Sequence, residues 1–150
     1  MAYSIAQLQQ LLIQAGCPSD KVVILAAIGM AESSGNPNAV NNGTGTHSVE
    51  YSVGLWQINT LAHKNYSVAQ LKDPRTNAQE AVRILRVQGL RAWGAYTDGR
   101  YLKYMAASRL AAGGGSSPVP SNGATDNSST SGDDDSSWWI LLGIAALLLI

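Results

Sequence analysis

An uncharged apolar run at residues 22–31 is the feature that most restricts how this chain can fold. Every residue in the run is apolar or glycine, so a helix built from it is hydrophobic on all sides. Other elements must cover such a helix, because it has no polar face to turn toward water. Gly35 and Pro37 follow closely and are typical of a helix end and a turn. The sequence therefore predicts a buried helix that ends just beyond Glu32.

Glu32 directly follows this run, so we expect its carboxyl group to leave a dry environment at the end of the helix. Burial disfavours an ionised carboxylate and raises its pKa. A carboxylic acid that stays protonated near neutral pH can donate a proton to a leaving group, which is general-acid chemistry. The alternative is a helix-terminal glutamate that simply points into water.

Four short motifs follow one another along residues 1–112. They are Glu32-Ser33, Gly54-Leu55-Trp56-Gln57-Ile58-Asn59, Asp73-Pro74-Arg75-Thr76-Asn77-Ala78 and Trp93-Gly94-Ala95-Tyr96. Their order and spacing resemble those of the lysozyme-like superfamily, in particular soluble lytic transglycosylases and the muramidases carried by phage particles. The resemblance implies a mainly α fold of the α+β lysozyme-like type, a small helical domain in which a short β or loop region lines a saccharide cleft.

The resemblance also implies roles for individual residues. Glu32 corresponds to the catalytic acid, residues 54–59 to part of the cleft, and Tyr96 to the tyrosine that orients the glutamate. The implied substrate-binding residues are Ser33, Trp56, Gln57, Asn59, Trp93 and Tyr96. Transglycosylases usually have Ala-Tyr-Asn where this chain has Ala-Tyr-Thr, and often Met in place of Trp56. These departures weaken the resemblance to transglycosylases specifically and leave the implied glycan cleavage unchanged.

Aromatic side chains flank the motifs and offer flat faces against which sugar rings can stack. The same residues could equally belong to the hydrophobic core. Tyr101, Leu102, Met105 and Leu110 fall close to helical spacing, so we expect the aromatic residues at 101–112 to be mostly packing. Trp56 and Tyr96 are the better candidates for the cleft.

A second carboxylate would decide the type of reaction. Hydrolases commonly pair an acid with a nucleophile or base, whereas transglycosylases can use one glutamate and a hydroxyl of the substrate. Glu50 is the candidate, in a segment of partial alternation at residues 47–53 that suits a strand lining a cleft. A solvated loop glutamate is an equally good interpretation. Asp73 and Asp98 are assigned to a helix N-cap and a turn instead.

Cap and stop signals divide residues 1–112 into helices. A short amphipathic helix follows Ser4 and stops at Gly16, and the buried helix begins at Ser19 or Asp20. Later helices are predicted near residues 67–71, 74–88 and 101–112. These elements indicate one small, mainly helical domain with a single core.

The composition changes abruptly after residue 112. Residues 113–137 have Val119 as their only large apolar side chain, so we expect a disordered linker there. The segment from Trp138 to Ile150 is continuously apolar and begins with paired Trp, which is typical of a membrane interface. As a helix it would reach only about 20 Å, against a hydrocarbon core of about 30 Å. It could insert partway, continue past Ile150, or pack against protein partners.

Charge and residue content bear on partners. Residues 1–112 hold all ten basic residues and six of the ten acidic ones, so their net charge is +4, which favours encounter with anionic peptidoglycan. The sequence contains neither a basic run nor a phosphate-binding glycine loop. It therefore predicts no nucleic-acid partner. His47 and His63 lack the spacing of a metal site, and no cofactor is expected. Cys17 is alone, which fits a reducing cytoplasm.

The N-terminus lacks the pattern of a secretory signal, so a wall-cutting domain with a C-terminal anchor would stay in the cytoplasm. Packaging into a virus particle resolves this conflict. We therefore expect a virion-associated enzyme, held in a membrane or coat, that cleaves the β-1,4 bond between N-acetylmuramic acid and N-acetylglucosamine. A bacterial cell envelope protein is the alternative location. The alternative function is a non-catalytic glycan-binding or structural virion or membrane protein with the same fold.

Overall fold

The computed structural model describes residues 1–42 and 51–113 of the chain. Its helices are α1 (Ile5–Gln14), α2 (Ser19–Ser33), α3 (Val68–Lys72), α4 (Pro74–Gln88), α5 (Gly94–Thr97) and α6 (Leu102–Ala112), with a 3₁₀ turn at Leu90–Ala92. The strands are β1 (Val40–Asn41), β2 (Ser52–Val53) and β3 (Ile58–Asn59). Glu50 and the apolar segment that begins at Trp138 lie outside the described residues. The predicted linker also lies outside them, except for its first residue, Gly113. The predicted mainly helical fold is confirmed.

Local capping chemistry sets the predicted helix boundaries. Ser4 and Ser67 each open a helix with a reciprocal pair of hydrogen bonds to the glutamine three residues later. Asp73 accepts a hydrogen bond from the Thr76 N–H at the start of α4, whose first position is Pro74. The helices predicted after Ser4 and after Asp73 are therefore confirmed.

Helix α2 lies at the centre of the helical packing, in contact with α1, α5 and α6. Leu25 and Ile28 are fully buried on it, which confirms the predicted buried helix. The helix ends where Ser34 adopts a left-handed conformation (φ 54°) and Gly35 follows (φ 74°). A Cβ atom on Gly35 would overlap the backbone of Tyr3, so this position requires glycine. Glu32 consequently occupies the last turn of a buried helix.

A small antiparallel sheet in the order β1-β2-β3 stands beside the helices, with Ser52 opposite Asn59. Asn77, fully buried on α4, ties the sheet to them. Its Oδ1 accepts from the Trp56 N–H at 2.9 Å. Its Nδ2 donates to the carbonyls of Val53 at 3.0 Å and Leu71 at 2.8 Å. One amide side chain thus fixes the segment that follows β2.

Helix α6 contacts the other helices without its leucines. Tyr101, just before it, packs against the core as predicted for the aromatic residues, whereas Leu102 is 60% and Leu110 is 78% exposed. The contact is made by the buried Ser108, whose Oγ donates to the Val23 carbonyl and accepts from Gln9 Nε2. A short polar residue allows close approach to α2 there, and apolar spacing alone did not predict that choice.

No helix within residues 1–42 and 51–113 is long and apolar enough to cross a membrane. The predicted membrane-associating segment is not among these residues, and its role stays a prediction.

Candidate active site

Glu32 lies at the end of α2, beside a polar cleft. The Glu32 side chain is 14% exposed. Its Oε1 accepts a hydrogen bond from the backbone N–H of Ala95 at 2.9 Å. Arg100 Nη2 lies 3.9 Å from the same oxygen. No residue in the described ranges hydrogen-bonds Oε2. The carboxyl group is therefore held through Oε1 by the backbone of α5.

The cleft beside Glu32 has a volume of about 280 Å³. Strand residues form one side, and the 3₁₀ turn and the start of α5 form the other. Its lining residues are Glu32, Asn41, Ser52, Gln57, Asn59, Ala92, Trp93, Gly94 and Arg100. Amide and hydroxyl groups dominate the strand side, and such groups can pair with sugar hydroxyls. Glu32 is the single carboxylate among these lining residues, all of which belong to the described part of the chain.

Gln57 and Asn59 reach the cleft from the turn between β2 and β3 and from β3 itself. Gln57 has a left-handed backbone (φ 46°), and its Nε2 donates to the Gly54 carbonyl at 2.9 Å. Asn59 Oδ1 accepts from the Leu61 N–H at 2.9 Å. These bonds fix both amides, so the structure brings two predicted binding residues to the same cleft as Glu32.

Trp56 is a core residue, and the prediction that it contacts substrate was wrong. Its side chain is fully buried, and its Nε1 donates to the Leu25 carbonyl at 2.9 Å. Trp93 does line the cleft, but it is only 4% exposed and donates through Nε1 to the Trp56 carbonyl. Trp93 therefore shapes the wall of the cleft and does not offer an open face for stacking.

Tyr96 does not orient Glu32, contrary to the prediction. Its ring packs against Tyr101 with centroids 5.2 Å apart. It lines a separate cavity, and the structure shows no hydrogen bond between Tyr96 and Glu32. The neighbouring backbone N–H of Ala95 holds the carboxylate instead. Such a backbone contact leaves no signature in residue types, so motif matching assigned the role to the side chain.

Two further predicted residues are not placed in the cleft. Ser33 Oγ donates to the Gly29 carbonyl at 3.1 Å within α2, and Ser33 is not among the lining residues. Glu50 lies outside the described residues, although Ser52, two positions later, does line the cleft. The roles predicted for Ser33 and Glu50 stay predictions.

Arg100 is a cleft residue that the sequence analysis missed. Asp98 Oδ2 accepts from Arg100 Nε at 2.7 Å, and Asp98 Oδ1 accepts from its backbone N–H at 2.9 Å. The hydrogen bond that Arg100 donates to Asp98, with the charge of Glu32, raises the pKa of Arg100 despite partial burial. The cleft thus keeps a fixed cation beside Glu32. The Thr-Asp-Gly-Arg turn in the sequence indicates a pair between Asp98 and Arg100. Only the tertiary fold brings this pair close to Glu32.

Metal binding finds no support in the residues described, which contain no group of three or more His, Cys, Asp or Glu side chains able to hold an ion. His63 instead contacts Glu80, with Nδ1 2.8 Å from Oε1.

A protein-family model described as a lysozyme-like domain matches residues 9–95, more than half of the chain. The matched region includes Glu32 and the Ala95 N–H that holds it, whereas Arg100 lies beyond it. No curated protein matches the chain.

Proposed function

This chain belongs to the lysozyme-like domain family, and we propose that it cleaves peptidoglycan at the β-1,4 bond between N-acetylmuramic acid and N-acetylglucosamine, with Glu32 as general acid. Members of the family are generally glycosidases or transglycosylases of the cell wall. The observation that carries the proposal is the position of Glu32, which ends a buried helix at the edge of a cleft lined by amide and hydroxyl groups.

The geometry supports a proton transfer from Glu32 Oε2 to the glycosidic oxygen. As the C–O bond breaks, the leaving hydroxyl keeps this proton and positive charge develops on the sugar ring. The Ala95 N–H on Oε1 and the Arg100 guanidinium both stabilise the carboxylate that remains. That carboxylate then accepts a proton from the attacking hydroxyl group.

The attacking group distinguishes two outcomes. Water gives a reducing end, whereas attack by a hydroxyl of the same sugar gives an anhydro end. Glu32 is the single carboxylate among the described lining residues, and Glu50, the candidate for a second one, lies outside them, so both routes stay open. Glu50 becomes relevant if it supplies a second carboxylate. Glu50→Gln should keep full activity and anhydro products if the one-glutamate route holds.

Digestion of purified peptidoglycan by the full-length protein, followed by mass spectrometry of the released fragments, tests the proposal. We expect disaccharide fragments, and an anhydro end differs in mass from a hydrolysed end by one water. Binding to glycan strands without any released fragment would contradict the proposal and support the non-catalytic alternative.

Attachment to a virion or envelope is a separate proposal. It is supported only by the composition of the segment from Trp138 to Ile150. The cleft chemistry does not depend on it.

A further inference from the structure

Asp98 and Arg100 form a charged pair in the turn between α5 and α6. Asp98 Oδ2 accepts from Arg100 Nε at 2.7 Å, and both side chains are half-exposed. Arg100 lines the cleft, whereas Asp98 is not among the lining residues. Both positions follow the end of the lysozyme-like family match at residue 95. Membership of the family therefore assigns neither residue a role.

The guanidinium of Arg100 stops short of a hydrogen-bonded ion pair with Glu32. Its Nη2 lies 3.9 Å from Glu32 Oε1, which is beyond hydrogen-bond distance. A movement of about 1 Å would bring the two groups to the separation of a charge-assisted hydrogen bond. Asp98 opposes this movement, because it accepts from Arg100 Nε and, at 2.9 Å, from the Arg100 backbone N–H.

The separation between the cation and Glu32 matters for general-acid chemistry. A guanidinium in direct contact with a carboxyl group favours its ionised form, which has no proton to transfer. At 3.9 Å the same cation still attracts the carboxylate that remains after proton transfer. A restrained cation therefore serves the second half of the reaction without removing the proton needed for the first.

We propose that Asp98 is a positioning residue for the proposed catalytic acid, because it keeps Arg100 out of direct contact with Glu32 and so extends proton donation to higher pH. This inference rests on the proposed function and deepens it. Asp98 acts through Arg100 and does not line the cleft itself. Without the Asp98 charge, the half-exposed guanidinium moves onto the carboxyl group of Glu32 and holds it ionised.

The charges that act on Arg100 are those of Asp98 and Glu32. Helix α1 and the strands β1, β2 and β3 contain no titratable side chain. The other titratable residues of the 3₁₀ turn, α5, α6 and the turn before α6 are not among the described lining residues of the cleft: Arg91, Tyr96, Tyr101, Lys103, Tyr104 and Arg109. At the opposite end of α2, Asp20 and Lys21 pair with each other at 2.7 Å. Asp98 is therefore the described carboxylate placed to restrain Arg100.

NMR of the carboxyl groups tests the inference without turnover. The full-length protein is labelled with ¹³C at the carboxyl carbons of its three glutamates, and Glu32→Gln identifies the Glu32 signal by its loss. Asp98→Asn should move the titration midpoint of that signal to lower pH by about one pH unit. Asparagine keeps an oxygen for the Arg100 backbone N–H, so the turn is preserved. Asp73→Asn makes the same charge change at the N-cap of α4 and should leave the midpoint unchanged.

Arg100→Gln separates the action through Arg100 from a direct effect of the Asp98 charge. This variant removes the cation and should move the Glu32 midpoint to higher pH. Adding Asp98→Asn to Arg100→Gln should then change the midpoint only slightly, because the cation that Asp98 restrains is gone. An equal effect of Asp98→Asn in both backgrounds, or no effect in either, overturns the inference. Glu50 lies outside the described residues, so the series is repeated with Glu50→Gln, and loss of the expected order there overturns it as well.

The pH dependence of cleavage gives a second measurement on the full-length protein. Asp98→Asn should move the high-pH limb of the kcat/KM profile to lower pH by about one pH unit, a loss of about tenfold in rate above the limb. KM should be kept, because Asp98 does not line the cleft. A uniform loss at every pH, or a raised KM, would indicate a structural or binding role and overturn the inference. Absence of cleavage by the wild type, with the expected NMR midpoints, would contradict the proposed function alone.

Discussion

The position of Glu32 depends on a backbone hydrogen bond rather than on a neighbouring side chain. Ala95 donates through its N–H, so any residue other than proline at that position can make the contact. Arg100 adds a charge that Asp98 holds in place. The acid is therefore oriented by the path of the chain at α5, and a substitution outside the cleft that moves α5 should affect catalysis.

Glu32→Gln should abolish turnover and preserve the fold. Glutamine keeps the size of the side chain and an oxygen that can accept from the Ala95 N–H, but it carries no transferable proton. Loss of a positioned general acid lowers the rate by about 10²–10⁴. Release of soluble fragments from purified peptidoglycan gives the rate, and thermal unfolding followed by circular dichroism checks the fold.

Asp73→Asn is the matched control for this variant. It makes the same change of charge at the N-cap of α4, and asparagine keeps the capping hydrogen bond to Thr76. We expect near wild-type activity from it. If Glu32→Gln retained a similar rate, Glu32 would not be the acid.

At the scale of elements, the segment after β2 is fixed by glycine and asparagine together. Gly54 has a left-handed backbone (φ 84°), and a Cβ there would overlap Asn77 Nδ2 and the Leu71 carbonyl oxygen. Those two groups hydrogen-bond each other across the position. The packing that seats Gln57 in the cleft therefore has no room for a side chain.

Gly54→Ala should destabilise the protein by about 2–4 kcal/mol, because backbone strain adds to displacement of a buried hydrogen bond. Gly16→Ala is the control, since Gly16 shares a left-handed φ of 75° but the nearest atom to an added Cβ is 3.5 Å away. It should cost only about 1 kcal/mol. Urea unfolding of both variants gives the comparison. Equal losses would show that strain alone, and not the Asn77 contact, requires glycine.

A buried carboxylate ties α4 to the loop after β3. Glu80 is 1% exposed and accepts from Arg83 Nε at 2.8 Å and Nη2 at 2.6 Å, with His63 Nδ1 also 2.8 Å away. Burial alone would raise the pKa of Glu80, but the hydrogen bonds and charge of Arg83, with His63, bring it below the usual value of 4.5. The folded state therefore binds the proton less readily than the unfolded chain.

The contribution of Glu80 to stability is complete above pH 4.5, the pKa of an ordinary glutamate. It is lost as the pH falls through the lower pKa that Glu80 has in the folded state. Glu80→Gln should lower the stability at pH 7 by about 1–3 kcal/mol, because Arg83 and His63 lose a charged partner. The variant should also show a smaller drop in Tm between pH 5 and pH 3 than the wild type. Thermal scans across that range measure both effects, and parallel curves for the two proteins would contradict the assignment.

The sequence predicted elements where the determining contacts are local. Ser4 and Asp73 cap helices through residues three positions away, so their boundaries could be read directly. The buried face of α6 and the burial of Trp56 depend on partners distant in sequence, namely Val23 and Leu25. Hydrophobic spacing contains no information about such partners.

At the scale of the whole molecule, fold class and family followed from four motifs in order, and the family match confirms them. The cleft was predicted only in part. Glu32, Gln57, Asn59 and Trp93 line it as expected, whereas Arg100 does so unexpectedly. Residues of these types form a site only after folding, so their spacing alone could not separate cleft residues from core residues.

The predicted division of the chain into a domain, a linker and an apolar end leads to the last prediction. Val119 is the only large apolar side chain in residues 114–137, so we expect no part of the core there. Removal of residues 114–150 should therefore leave a soluble monomer that cuts soluble glycan fragments at the wild-type rate. The full-length chain should bind liposomes, because each of the eight Leu and Ile side chains from residue 138 onward gains about 1.5–3 kcal/mol on burial.

Co-sedimentation with liposomes compares the full-length chain, the truncated chain and a full-length Leu141→Asp, Leu147→Asp variant. The double variant keeps the preceding residues and the length of the chain but places two charges where hydrocarbon would be, and each charge opposes insertion by about 2.5–3.5 kcal/mol. We expect the wild type in the pellet and both altered chains in the supernatant, with equal rates on soluble fragments. If the wild type also remained in the supernatant, the apolar end would not be a membrane anchor, and sedimentation with purified particles would then test attachment to protein partners.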